Sequence, residues 1–324
     1  MLPPRDRLVI CFAHVAYRLQ ERFLVRRSGI ASFEIRAAQE LERRIGEADV
    51  LVVSGLWRDE LLARAERLRF IQSASAGTDQ YSRPLLKERA IRLASAQGAN
   101  ERAVAEHAMA LILALARRLP EARDNQARRR WRGMIGEIGQ REEEIGGKTL
   151  LIVGLGRIGS RLARLAKAFD MRVLGLRRNP GAGGKDADEV HGTERLSALL
   201  PEADIVALTC PLTPETEGLI GRDAFARMKP SAHLVNVARG RCVEEPALIA
   251  ALQEGRIAGA ALDCFAAEPL PESSPLWAFD NVLITPHSAG ETRRYEDNIL
   301  DLLMENLERL WAGEAMLRNE VVLR

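Results

Sequence analysis

Aromatic residues are scarce in this chain. Phe, Trp and Tyr together make up 5% of its 324 residues, so its cores must be built from aliphatic side chains. Lysine is scarce too: only Lys87, Lys148, Lys167, Lys185 and Lys229 occur among 47 basic residues. Arginine is therefore everywhere, and a single arginine is weak evidence of function. Neither sign of charge is in excess. A formal net charge of +2 gives no strong steering field, which argues against a nucleic-acid partner. Cysteine is sparse and unpatterned. Cys11, Cys210, Cys242 and Cys264 show no C-x-x-C spacing, which excludes the usual zinc arrangements and predicts no metal site. Buried free thiols in a reducing compartment account for them. Long apolar runs are missing as well. The longest, Ala108 to Ala116, is too short to span a bilayer. Leu8 to Ala13 follows Arg5-Asp6-Arg7 without a small-residue cleavage site, and reads as a first strand rather than a signal peptide. These absences predict a cytoplasmic protein with no membrane partner.

What is present is alternation of strand and helix signals over a length that suggests two domains. In the first hundred residues, Leu8 to Ala13, Asp49 to Ser54, Phe70 to Ser75 and Ile91 to Ala94 read as buried parallel strands, and Asp59 to Leu68 carries helical spacing. Glu101 to Arg117 is apolar nearly all round, the mark of a buried helix. Glu121 to Glu144 is highly charged, a solvated arm or an arm that meets a second subunit. A second alternating unit begins at Lys148. Its strands are expected at 149–153, 171–176, 204–210, 233–238, 258–265 and 282–286, as in a doubly wound dinucleotide domain. Ile299 to Trp311 is a strongly periodic helix, and the tail can return to the first domain.

Gly154-Leu155-Gly156-Arg157-Ile158-Gly159 follows the apolar run Leu150 to Val153 and opens a helical segment. A lone G-x-G-x-x-G is weak, but this one has the strand before and the helix after that the motif requires. Gly154 makes the tight turn, Gly156 admits a pyrophosphate, and Gly159 lets helix and strand pack. The phosphates then rest on N–H groups at the helix start, those of Arg157 and Ile158 included. About 20 residues on, an acidic side chain would bind a ribose 2′-hydroxyl. Here Arg177-Arg178 stands instead. A guanidinium cannot accept from a hydroxyl but suits a phosphate. The pair predicts NADP(H) as the preferred cofactor, with NAD(H) possible.

Three later strand ends lead to reactive side chains. Leu234 to Ala238 delivers Arg239, Ala260 to Phe265 leads to Glu268, and Val282 to Pro286 delivers His287. Ligands of open parallel sheets bind outside the carboxyl ends of the strands. Arg239 can bind a carboxylate bidentately and polarise a neighbouring carbonyl; Arg241 competes for that role on spacing alone. His287 can move a proton near neutrality, and Glu268 paired with it would raise its pKa. Asp263 would be costly to bury unpaired; a nicotinamide carboxamide or a backbone donor would satisfy it. Ser73 to Thr78 follows another strand, and its small residues let the N–H groups of Ala76 and Gly77 face a carboxylate. Trp57 follows a strand end and is a candidate for shaping the substrate pocket. His14, His107, His191 and His233 read as structural.

The segments Ser75 to Asp79, Val104 to His107, Gly154 to Gly159, Pro211 to Thr216, Met228 to Pro230, Val235 to Gly240, Asp263 to Pro269 and Thr285 to His287 together resemble the D-isomer-specific 2-hydroxyacid dehydrogenase family. The resemblance implies an α/β fold in which a doubly wound Rossmann domain, residues 100–290, is inserted into a flavodoxin-like substrate domain of residues 1–99 plus 291–324. It implies a homodimer through the inserted domain, Pro211 beside the cofactor, and catalytic roles for Arg239, Glu268 and His287. Arg177-Arg178 and Ser274 to Trp277 look most like glyoxylate and hydroxypyruvate reductases, whose substrates are small 2-oxo acids reduced to D-2-hydroxy acids. Corepressors that sense NAD(P) share this scaffold and define the alternative, a binding protein. A methyltransferase reading of the glycine loop would have no use for the arginine, glutamate and histidine.

Overall fold

A computed structural model describes residues 2–323. The chain divides into two compact units, Met1–Asn100 with Glu291–Arg324, and Glu101–Gly290.

The first unit is built on five strands: β1 (Val9–Ala13), β2 (Ala31–Ile35), β3 (Val50–Val53), β4 (Phe70–Ser73) and β5 (Arg92–Ala94). They pair in the order β2-β1-β3-β4-β5, and every pairing is parallel. This is the flavodoxin-like strand order. Alternate side chains point to opposite faces, and both faces are covered. Ile10, Phe12, Val50, Val52 and Phe70 join one apolar cluster, while Cys11, Ala13, Leu51, Val53 and Ile71 join the other. A strand buried on both sides has no polar face to show, hence its continuous apolar run. The C-terminal helix Tyr295–Trp311 sets Ile299, Leu300, Leu303 and Leu307 into the first cluster. The tail thus completes the domain that the N-terminus begins. Asp59–Arg64 is 3-10 rather than the α-helix its spacing suggests.

The second unit holds β6 (Thr149–Val153), β7 (Arg172–Leu176), β8 (Glu189–His191), β9 (Ile205–Leu208), β10 (His233–Asn236), β11 (Gly259–Leu262) and β12 (Val282–Ile284). Their order is β12-β11-β10-β9-β6-β7-β8, parallel throughout. The chain reverses its direction of travel between β6 and β9, and that switch point is where a doubly wound sheet opens a ligand crevice. The sequence leads one to expect six strands here; β8 is the seventh. Helices cover both faces. Glu101–Ala116 buries Val104, Ala105, Ala108, Leu111 and Ile112 beside Leu162, Ala163 and Ala166 of Arg157–Ala168.

At the amino ends of both sheets one device recurs. An aspartate takes an N–H at the start of a neighbouring strand and pairs with a cation. Asp49 accepts from Val9 at 2.9 Å and meets Arg67. Asp188 accepts from Val173 at 2.7 Å and meets Lys167, and Asp204 accepts from Thr149 at 2.8 Å and meets Lys229. All four cysteines are buried and free.

Candidate active site

The glycine loop joins β6 to the helix Arg157–Ala168. Gly154 has φ +103°, and a Cβ there would lie 2.6 Å from the Cys210 backbone. Only glycine fits this turn. A Cβ on Gly159 would lie 2.5 Å from the Gly154 carbonyl oxygen, so its absence sets the helix against the strand. Gly156 differs: it is exposed, and a Cβ there would meet nothing nearer than 4.0 Å. Protein packing does not demand glycine at 156, whereas a ligand pressed against the backbone would. The N–H of Ser160 bonds Gly156 at 2.8 Å, but among the described residues those of Arg157, Ile158 and Gly159 find no acceptor in the chain. Unsatisfied N–H groups on a helix N-terminus attract anions. The loop thus fits a dinucleotide pyrophosphate.

At the end of β7 the two arginines behave differently. Arg177 is half-buried and donates to the carbonyl of Gly183. Arg178 is 83% exposed and stands 3.9 Å from Glu215, itself 73% exposed. Pro211 follows β9, and its carbonyl accepts from the Thr216 hydroxyl at 2.7 Å.

Arg239 leaves β10 through a turn held by Asn236, which is 1% exposed. The amide of Asn236 donates to the Arg239 carbonyl at 3.0 Å and accepts from the Ala238 N–H at 3.0 Å. The guanidinium folds back to donate to the Ala238 carbonyl at 2.7 Å. The next residue, Gly240, lets this turn pack directly on the backbone of Phe265 and Ala266, which starts the loop leading to Glu268. Glu268 takes the Phe265 N–H at 2.9 Å on one oxygen and meets Nδ1 of His287 at 2.7 Å with the other.

The electrostatics of the pair follow. The hydrogen bond to Glu268 holds His287 above its ordinary value, aided by the carboxylate charge and opposed by burial and the Arg239 charge. Burial pushes Glu268 upward, but the bonds from His287 and Phe265 and the charges of His287 and Arg239 outweigh it, so its carboxyl lies below the usual range. A carboxylate can only accept, so Nδ1 carries a hydrogen and Nε2 is the nitrogen left for chemistry. Arg239, Glu268 and His287 therefore form one charged cluster at adjacent strand ends. Arg241, the rival of Arg239, is instead paired with Glu217 at 2.5 Å on the surface.

His287 has φ +54°, a left-handed conformation that costs about 1–3 kcal/mol in a non-glycine residue. Asp263 holds it there. Only 2% exposed, Asp263 accepts from the N–H groups of Ser288 at 2.9 Å and Ala289 at 3.0 Å, and from the Thr285 hydroxyl at 2.6 Å. The donors that satisfy it are thus largely backbone ones, and they clamp the loop that carries the imidazole.

Other expectations change. Trp57 is a core residue, 1% exposed, its ring 5.4 Å from that of Tyr81 and its Nε1 donating to Asp59 at 2.9 Å. An indole so enclosed cannot line an open pocket. In the same unit, in the loop after β4, the Ser75 N–H is taken by the Ser73 hydroxyl at 3.1 Å, while among the described residues the N–H groups of Ala76 and Gly77 meet no acceptor. His107 sets its Nε2 3.0 Å from the Thr285 hydroxyl and 3.6 Å from Asp263. His107 and Asn236 lie in segments that carry the family resemblance, but spacing along the chain does not signal their contacts; the partner of His107 is 178 positions away. Among the described residues, no group of three His, Cys, Asp or Glu residues is placed to hold a metal ion, and no helix is long and apolar enough to cross a membrane.

Comparison with known proteins places the chain in a family. A family model for the D-isomer specific 2-hydroxyacid dehydrogenase NAD binding domain matches residues 109–289. The glyoxylate/hydroxypyruvate reductase B of Yersinia enterocolitica is 37% identical over 304 residues, covering 91% of this chain and 90% of that protein. The D-3-phosphoglycerate dehydrogenase of Methanocaldococcus jannaschii is 37% identical over 284 residues, 85% of this chain but 52% of that protein. The chain spans about half the length of the phosphoglycerate dehydrogenases it matches. The crystal structure of a family protein from Aeromonas salmonicida superposes with a TM-score of 0.85 at 30% identity, covering 98% of this chain and 100% of that one. The chain belongs to the D-isomer specific 2-hydroxyacid dehydrogenase family.

Proposed function

We propose that the protein is an NAD(P)H-dependent oxidoreductase that reduces a small 2-oxo acid, of the glyoxylate or hydroxypyruvate kind, to the D-2-hydroxy acid. The observation that carries this reading is the 2.7 Å contact between Glu268 and the Nδ1 of His287, beside the charge of Arg239. The match to a glyoxylate/hydroxypyruvate reductase along nearly its whole length favours the small substrates.

A reduced nicotinamide, when bound, supplies the hydride. The glycine loop and the N–H groups of Arg157, Ile158 and Gly159 would hold its phosphates, and Arg178 would take the 2′-phosphate of NADPH, with Arg177 bracing the adjoining loop through the Gly183 carbonyl. Arg239 binds the substrate carboxylate and draws electron density toward the carbonyl oxygen. His287, kept protonated by Glu268, gives its Nε2 proton to that oxygen. Neutral His287 keeps its Nδ1–H bond to Glu268, so the ring does not turn between cycles. In the other unit, the N–H groups of Ala76 and Gly77 are suited to a carboxylate. Trp131 at 97% and Met134 at 103% exposure on the charged arm support a homodimer through the Rossmann domain.

The test is a panel of 2-oxo acids with NADPH and NADH, followed by loss of reduced-nicotinamide absorbance. Turnover with glyoxylate or hydroxypyruvate is expected, and His287→Ala should lower kcat by about 10²–10⁴ with cofactor affinity nearly intact. Cofactor binding without turnover of any 2-oxo acid would favour a binding protein instead.

A further inference from the structure

We propose that His107 is a positioning residue for His287, acting through Thr285 and Asp263. The inference rests on the proposed role of His287 as the proton donor. Thr285 has a single hydroxyl proton. Its Oγ1 lies 2.6 Å from Asp263 Oδ1, an acceptor-only group when ionised. The Thr285 oxygen must then accept from His107, whose Nε2 lies 3.0 Å away. The direction of the relay is therefore determined: His107 Nε2–H to Thr285, Thr285 to Asp263.

The relay ends on both sides of His287. Before it, the Thr285 carbonyl accepts the His287 N–H at 3.0 Å. After it, Asp263 accepts the N–H groups of Ser288 and Ala289. One threonine thus supports the imidazole residue through its carbonyl and supports Asp263 through its hydroxyl. Without His107 that hydroxyl loses the donor that orients it. A hydroxyl that is no longer held in place donates less well to Asp263, which at 2% exposure is shielded from bulk solvent. His107 itself sits on a firm base, the helix Glu101–Ala116, whose Val104, Ala105, Ala108 and Leu111 are buried in the sheet-facing cluster. The left-handed backbone of His287 is thereby tied to a rigid element rather than left to its own loop.

The experiment compares His107→Leu, His107→Gln and Thr285→Val in the full-length protein. Two readouts are used: steady-state kinetics, and nitrogen-15 histidine NMR of the His287 Nδ1 proton shared with Glu268. In His107→Leu, kcat should fall by about tenfold with KM for the cofactor within about twofold, and the Nδ1 proton signal should broaden. His107→Gln, which keeps an N–H near the Nε2 position, should restore both. The double variant His107→Leu/Thr285→Val should be no worse than the poorer single one, because both break one relay. Unchanged kcat and an unchanged proton signal in His107→Leu would overturn the proposal. So would loss of cofactor binding that glutamine fails to restore, which marks a packing role. If His107→Leu does not fold, Thr285→Val carries the same measurements. If the unaltered protein reduces no 2-oxo acid, the catalytic reading fails while the NMR comparison still judges the relay.

Discussion

Gly240 lies so close to Phe265 that a Cβ on it would sit 1.8 Å from the Phe265 carbonyl carbon. This contact joins the turn that carries Arg239 to the loop that carries Glu268. The obstruction is backbone and cannot rotate aside. Gly240→Ala should therefore cost about 3 kcal/mol, the upper part of the overpacking range, and lower Tm by roughly 6–12 °C. Thermal unfolding followed by circular dichroism measures this. A Tm within a degree of the parent would mean that the two loops are not held together here.

Glu268 raises the pKa of His287 through its hydrogen bond and, secondarily, its charge; Glu268→Gln weakens the first and removes the second. In the proposed reaction reduction needs protonated His287, so its rate should be flat at low pH and fall as pH rises through that pKa. In Glu268→Gln the fall should move to lower pH. Oxidation needs neutral His287, so its rise with pH should move the same way. Profiles of kcat/KM in both directions check the sign. A shift to higher pH would contradict the pairing.

Gly154 and Gly156 should separate folding from binding. Gly154→Ala forces a side chain onto the Cys210 backbone at positive φ and should lower Tm. Gly156→Ala meets open space at φ −91° and should leave Tm unchanged while weakening cofactor binding about tenfold or more. Calorimetry and cofactor titration distinguish them. Equal losses of stability would remove the case for a ligand against Gly156.

Arg178 is exposed and only loosely opposed by Glu215. Arg178→Ala should reduce kcat/KM for NADPH by about 10–100-fold, the value of a hydrogen bond to a charged group, and leave NADH nearly unaffected. Arg177→Ala should affect both cofactors, because Arg177 braces the Gly183 carbonyl. An equal loss with both cofactors in Arg178→Ala would argue against a 2′-phosphate contact.

The most legible strands are buried on both faces, such as Val50–Val53 and Leu150 to Val153, where no polar residue interrupts the run; the edge strands Arg92–Ala94 and Val282–Ile284 are legible as well, because Leu93, Ala94 and Val282 to Ile284 are apolar. The two that were missed, Ala31–Ile35 and Glu189–His191, are edge strands. With one side open, they carry Ser32, Glu34, Glu189 and His191, and the apolar signal fades. Trp57 departs from its expected place at the pocket for a related reason. A strand-end position says where a residue begins, not which way its ring turns. Here the ring turns inward onto Tyr81.

The order of apolar runs, the glycine loop and the succession of Arg239, Glu268 and His287 belong to the chain itself. Local sterics and hydrophobic burial act over a few residues and can be read from neighbours. Tertiary structure alone decided that Nδ1 rather than Nε2 of His287 meets Glu268. It alone brought His107 to Thr285 across 178 positions and gave Asp263 its three donors. Hydrogen bonds depend on direction and on distances of a fraction of an ångström, and no spacing along a chain encodes those until the strands lie side by side.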